Sequence, residues 1–281
     1  MRRYAIRTFY DGMKYFGYQR QPDLSTVEGE LINALIKTEF IESPEENNFR
    51  SASRTDRYVS AIGNVFAFNS DKTIILDQLN ASLPSDRSII CWSYAEVEED
   101  FTPKYSKYKK YWYVLPLDYV KTTTNMNIEE INKLCSHFIG EHDFRLFCKV
   151  DQRDTVRTID DFKLIVKEDL IIFEVIANSF LWEQVRRIVG YILNFNTLSE
   201  TFQNIEELLK MDTQINTLNI EPANPEQLIL VMHEYENLEW KLSNKAIGNI
   251  ISRSNKLLDS LRQRQKLVSS VHNFFNSVKL E

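Results

Sequence analysis

Two residue periodicities alternate along this chain and restrict its fold more than any other feature. Strand-like alternation recurs at residues 3–10, 63–69, 89–97, 111–117, 157–166 and 170–177. Helical spacing of apolar residues lies between these segments, after residue 26 and at 73–82, 128–138 and 180–195. This mixture predicts an α+β fold of two similar halves. No Pro/Ser-rich linker separates the halves, at residues 1–105 and 106–240, so we expect them to share one continuous sheet.

The last segment, residues 241–281, differs from the rest in charge. It contains eight Lys or Arg and two Asp or Glu and so carries +6, which leaves −12 for residues 1–240 of a chain whose net charge is −6. Apolar residues recur in it at spacings near 3, 4 and 7, from Ile247 to Val278. We predict a basic amphipathic helical extension. An acidic body repels nucleic acid, so any binding of RNA must use local basic patches.

Composition excludes several classes of function. No apolar run approaches the roughly 20 residues that span a bilayer, and the N-terminus lacks a secretory pattern. Three scattered cysteines indicate a reducing compartment, and we expect a cytoplasmic protein. The seven glycines form no phosphate-binding loop, and the four histidines form no metal-ligand set. We therefore expect no nucleotide cofactor, no metal and no membrane partner.

The sharpest local motif places one carboxylate among three guanidinium groups, in residues 50–58. Asp56 lies close to Arg50, Arg54 and Arg57, just before a predicted strand. Nearby cations favour an ionised carboxylate, which can act as a nucleophile or stabilise a developing cation. On spacing alone, a surface Asp paired with arginines is the more common explanation.

Two further clusters have both a structural and a functional interpretation. Residues 104–113 interleave four lysines with four tyrosines and one tryptophan, a pattern that suits unpaired bases and phosphates or a solvated amphipathic strand. Residues 178–190 place Arg186 and Arg187 on an otherwise apolar helix. Such arginines form a structural ion pair, or they meet a phosphate or a catalytic carboxylate in a cleft.

Several motifs in order resemble the TruA family of tRNA pseudouridine synthases, closest to its archaeal-like members, over about residues 5–240. Phe9-Tyr10-Asp11-Gly12 with Phe16-Gly17 resembles the family's opening, and Ser53-Arg54-Thr55-Asp56 its catalytic loop. Further blocks follow in order, at Leu83-Pro84, Lys110-Tyr111-Trp112-Tyr113, Gly140-Glu141-His142-Asp143-Phe144, Phe180-Leu181 with Val185-Arg186, and Leu228-Ile229-Leu230.

The resemblance implies a fold and a set of roles. The fold is two α+β halves that share one mainly antiparallel sheet with a central basic cleft. Asp56 is the expected catalytic residue, and Tyr111, Arg54, Arg186 and Lys110 are expected to bind substrate. Tyr111 would stack on the uracil, and Arg186 would pair with Asp56. The implied activity is cofactor-free isomerisation of uridine to pseudouridine, usually at positions 38–40 of the tRNA anticodon stem-loop. Bacterial members are homodimers, so a homodimer is a further expectation.

The sequence departs from the family pattern at two places in the catalytic loop. Ser53 and Tyr58 stand where the family has glycine. Glycine permits positive φ or a close approach of backbone to RNA, whereas a tyrosine either packs against the substrate or blocks it. One alternative is therefore a catalytically impaired tRNA-binding relative. An RNA N-glycosidase would release free uracil, and a structural protein that assembles through its tail would show no salt-sensitive RNA binding.

Overall fold

A computed structural model describes residues 1–151, 154–196, 205–210 and 220–277, with side chains of the last helix up to residue 273. Strands comprise β1 (Arg2–Tyr10), β2 (Arg50–Ser51), β3 (Ser60–Ser70), β4 (Ile89–Val97), β5 (Tyr108–Pro116), β6 (Gly140–Asp143), β7 (Val156–Lys167), β8 (Leu170–Ala177), β9 (Leu228–Glu234) and β10 (Lys241–Leu242). Helices comprise α1 (Val27–Lys37), α2 (Leu76–Ser82), α3 (Leu117–Thr124), α4 (Ile128–Ser136), α5 (Gln184–Leu193), α6 (Ile205–Leu208) and α7 (Asn244–Ser277).

One sheet runs through both halves of the chain. Its strand order is β10-β4-β1-β3-β9-β5-β8-β7-β6, with β2 paired to β3. Only the short β3–β9 contact is parallel among these described strand pairs. The α+β fold and the mainly antiparallel sheet are therefore confirmed. The late strand β9 joins the halves because it lies between β3 and β5.

Local chemistry explains where the main helices begin. Thr26 caps α1 by accepting a hydrogen bond from the backbone of Gly29, and two glutamates occupy the first turn. Asn127 and Glu130 form a reciprocal capping box at the start of α4. These polar starts fix the helices so that their apolar faces cover the sheet.

Two apolar cores lie beneath the helices, one in each half. The first packs α1 and α2 on β1, β3 and β4, and the second packs α4 and α5 on β5, β7 and β8. Tyr111 contacts both cores, which places it at the junction between the halves. Leu230 of β9 belongs to the first core although it lies in the second half of the sequence.

The C-terminal extension is a helix, as the sequence pattern predicts. Arg253 forms an ion pair with Asp11, and Lys245 contacts Asp77 at 2.9 Å, so its first turns are attached to the body. Every residue from 255 to 273 is exposed. The sequence pattern also includes Phe275 and Val278 among the apolar positions of this helix. Val278 and the side chain of Phe275 lie outside the described residues. Within the described part of the chain, no helix is long and apolar enough to cross a membrane.

Candidate active site

The loop that carries Asp56 is held against the segment that follows β1. The backbone of Tyr18 donates a hydrogen bond to the Thr55 carbonyl at 3.1 Å, and the Tyr10 hydroxyl lies 2.8 Å from the Thr55 hydroxyl. Gly17 has a φ of +93°, and a Cβ there would lie 3.3 Å from backbone atoms of Thr55 and Arg57. The opening motif and the Asp56 loop are therefore one structural unit, in which Gly17 is needed for both its conformation and its size.

The Asp56 carboxylate belongs to a cluster of four residues, namely Asp56, Trp182, Glu183 and Arg186. Arg186 Nη2 lies 3.0 Å from Asp56 Oδ2 and 2.9 Å from Glu183 Oε1, and Trp182 Nε1 donates to Asp56 Oδ1 at 3.1 Å. Arg186 also donates to the Ala223 carbonyl. The Arg186 side chain is 9% exposed and that of Asp56 29%. The carboxylate is thus fixed by two donors and still open to a ligand.

The residues that hold Arg186 come from a strained turn before α5. Glu183 adopts a left-handed conformation, with a φ of 63°, and its carboxylate binds both Arg186 and Arg187. A non-glycine residue in this region costs about 1–3 kcal/mol, which the two ion pairs offset. Glu183 therefore sets the position of Arg186 through that contact.

Tyr111 stands beside this cluster on β5. Its ring meets Phe180 edge-to-face, with centroids 5.1 Å apart. Burial raises the pKa of the Tyr111 hydroxyl, a hydrogen bond with Ser53 opposes that change, and the charge of Asp56 adds to it. The ring is therefore neutral in the physiological range. The effect of the Asp56 charge on its pKa places the Tyr111 hydroxyl near the carboxylate.

The structure does not bring the other two predicted residues into this cluster. Lys110 forms an ion pair with Glu174 at 3.4 Å, and Glu174 also accepts a hydrogen bond from Trp112. Because side chains alternate along a strand, Lys110 and Trp112 share one face of β5 and Tyr111 points to the other. Arg54 is exposed and, within the described residues, forms no hydrogen bond or ion pair.

Tyr58, one of the two departures from the family pattern, keeps the backbone conformation that glycine would allow. Its φ is 71°, in the left-handed region. The Arg57 guanidinium stacks over the Tyr58 ring at 4.5 Å and over Phe16 at 4.2 Å. The Tyr58 ring therefore packs against Arg57. It leaves the Asp56 side chain partly exposed.

Sequence reasoning did not identify Trp182 or Glu183 as site residues. Both lie in the cluster at 178–190, but the pattern gave no reason to prefer them to their apolar neighbours. The signal available was a tryptophan and an acid directly before a helix with two adjacent arginines. Among the described residues, no group of three His, Cys, Asp or Glu side chains could hold a metal ion.

Comparisons with known proteins identify relatives of this chain. A family profile described as tRNA pseudouridine synthase, PseudoU_synth_1, matches residues 134–236. The chain is 39% identical over 248 residues to tRNA pseudouridine synthase A of Pyrococcus abyssi, covering 87% of this chain and 89% of the relative. It is 35% identical over 267 residues to the protein of that name from Methanosphaera stadtmanae, covering 95% and 94%.

Proposed function

Since the chain belongs to the tRNA pseudouridine synthase A family, we propose that it isomerises uridine to pseudouridine in tRNA, with Asp56 as its catalytic residue. The observation that carries the proposal is the Asp56 carboxylate held at 3.0 Å from the Arg186 guanidinium while 29% of its side chain stays exposed. Within the family's usual range, uridines 38–40 of the anticodon stem-loop are the proposed targets.

The reaction needs groups that bind the nucleotide, orient the carboxylate and hold the detached uracil. The candidate site contains residues suited to each of these tasks. The N1–C1′ bond breaks, a C5–C1′ bond forms, and the proton on C5 is lost to solvent while N1 gains one. Positive charge develops on the sugar as N1 leaves, and an ionised Asp56 stabilises it. Asp56 acts either by attack on C1′ or by removal of a C2′ proton.

Arg186 and Tyr111 have complementary roles in this proposal. Arg186 and the Trp182 indole orient the carboxylate, so its lone pairs meet the sugar without prior reorganisation. The ring of Tyr111, fixed by Phe180, holds the detached uracil while it rotates. The target nucleotide must leave its stack, at a cost of a few kcal/mol. Arg54, which is exposed on the Asp56 loop, is proposed to fill the space in the stack that the target nucleotide leaves.

The sequence division into residues 1–105, 106–240 and 241–281 is part of the proposal. The first part supplies Asp56, the second supplies Tyr111 and Arg186, and the cleft lies between them. Cys91, Cys135 and Cys148 are free and buried, which supports a protein that works in a reducing, cytoplasmic compartment.

The exposed part of α7 supports a homodimer. Leu257, Leu261, Val268 and Val271 are spaced by 4, 7 and 3 residues, and each leaves about half of its surface to solvent. Most of the stability of a helix in a protein comes from packing of its apolar face, so a second copy is the proposed partner. Sedimentation should give a dimer mass for the wild type and a monomer for Leu261→Glu. The neighbouring Ser260→Glu should remain dimeric.

The test of the function is direct. Unmodified tRNA transcripts carrying 5-³H-uridine are incubated with the protein, and tritium release is followed by mapping of pseudouridine with carbodiimide and primer extension. We expect release into water and modification within positions 38–40. Free uracil in the supernatant would indicate an N-glycosidase, and tight tRNA binding without release would indicate an impaired relative.

A further inference from the structure

A cavity lies at the start of β5, the strand that carries Tyr111. It has a volume of about 740 Å³ and is lined by the start of β5, the loop before it, and Asn178 and Ser179 after β8. Lys109 in its wall lies two residues before Tyr111, and Ser179 lies directly before Phe180. Two of its lining residues are therefore close in sequence to the two rings at which the proposed function places the target base.

The charges around this cavity are unbalanced. Lys107 is neutralised by Glu236 at 3.1 Å. Lys104 and Lys109 also line the cavity, and neither has a carboxylate partner among the described residues. Lys109 is the half-buried one of the two. A partly desolvated ammonium group without a counter-ion is costly, so this cavity favours the binding of an anion.

The pKa of Lys109 agrees with this description. Burial, together with a smaller effect of the charge of Lys104, lowers this pKa to about 8. The same charge pattern affects His233, a fully buried neighbour whose pKa is lowered by burial first and then by Lys109 and Arg7. Three cations thus act in this region. Arg7 has an acidic partner, Glu234 at 3.8 Å, whereas Lys104 and Lys109 have none among the described residues.

The remaining walls suit one nucleotide unit of a strand. Phe101 and Leu238 supply an apolar floor. Tyr105, at the rim, is 78% exposed and offers a ring face on which a base can stack. Asn178 accepts a hydrogen bond from Ser179, and its amide N–H groups stay available to donate.

We propose that this cavity binds a backbone phosphate of the substrate RNA next to the target nucleotide, with Lys109 and Lys104 as the cations that receive it. The proposal rests on the function proposed above and adds to it a site separate from Asp56. A phosphate supplies a negative charge to pair with these two lysines. It also fixes the strand at the point where the neighbouring nucleotide must turn toward Tyr111.

The test measures binding of fluorescent tRNA by anisotropy at a series of salt concentrations. The variant Lys109→Gln removes one phosphate contact, so the slope of log K against log salt should fall by about 0.7–0.9. Lys104→Gln should do the same. The matched control is Lys72→Gln, which removes an exposed lysine paired with Glu39 and should leave the slope unchanged.

Stability and kinetics separate this role from a merely structural one. Because Lys109 lacks a counter-ion, Lys109→Gln should retain or raise the melting temperature of the free protein while it raises KM and leaves kcat within twofold. If the wild type turns over normally but Lys109→Gln has the wild-type salt slope, the proposed phosphate site is refuted and the proposed function stands. A wild type that binds tRNA but releases no tritium would refute the proposed function and leave the slope comparison valid. A wild type that binds no tRNA would refute both.

Discussion

The Asp56–Arg186 ion pair is the contact whose energy can be worked out most fully. Replacing Arg186 by Met removes charge-assisted hydrogen bonds to Asp56, at 3.0 Å, and to Glu183, at 2.9 Å, and leaves two carboxylates close together. Breaking one side of a buried pair costs 3–5 kcal/mol. Because 29% of the Asp56 side chain is exposed, solvent screening reduces the cost to about 3 kcal/mol.

A double-mutant cycle isolates the pair itself. We expect Arg186→Met to lower the unfolding free energy by about 3 kcal/mol in urea. Combining it with Asp56→Asn should restore about 1–2 kcal/mol of that loss, since the second change removes an unpaired charge. The coupling energy is the sum of the losses in Arg186→Met and Asp56→Asn minus the loss in the double variant. A coupling below about 0.5 kcal/mol would mean that the two groups do not interact, and the proposed orientation of Asp56 would lose its physical basis.

Three other changes test separate parts of the account. Tyr58→Gly should be more stable than Tyr58→Ala by about 1 kcal/mol in urea, because only glycine tolerates a φ of 71° without strain; the reverse order would show that the turn relaxes. Tyr111→Phe should retain most tritium release, and Tyr111→Ala should lose it. Equal losses in the two variants would show that the hydroxyl matters more than the ring. Lys109 should make tRNA affinity fall as pH rises through about 8, since its ammonium then loses its proton. Unfolding free energy should rise from pH 8 to 10 because the unfolded chain keeps that proton longer, and both trends should vanish in Lys109→Gln.

The periodicity of the sequence predicted the elements well because burial of alternating or helically spaced side chains is a local property. The predicted strand at 89–97 has the observed bounds, and the predicted hairpin at 157–177 is β7 and β8. Helix ends were less well predicted. The helix expected from residue 180 begins at Gln184, because Glu183 adopts a left-handed conformation that no sequence pattern shows. The insertion of β9 between β3 and β5 depends on long-range pairing and was also beyond local reasoning.

The candidate site shows the same division between local and long-range information. Asp56, Tyr111 and Arg186 were named from motifs, and they lie together because the two halves meet at Tyr111. Lys110 was named because it adjoins Tyr111 in a basic cluster. Alternation along the strand instead directs it to Glu174.

The account depends most on the carboxylate of Asp56, and one substitution tests it. Asp56→Asn preserves the side chain's shape but removes its charge, so it should abolish tritium release from 5-³H-uridine tRNA under single-turnover conditions, while tRNA affinity stays within a few-fold. Asp71→Asn, at an exposed residue whose carboxylate pairs with the N-terminal amine, should release tritium at the wild-type rate. Release by Asp56→Asn at that same rate would contradict the assignment.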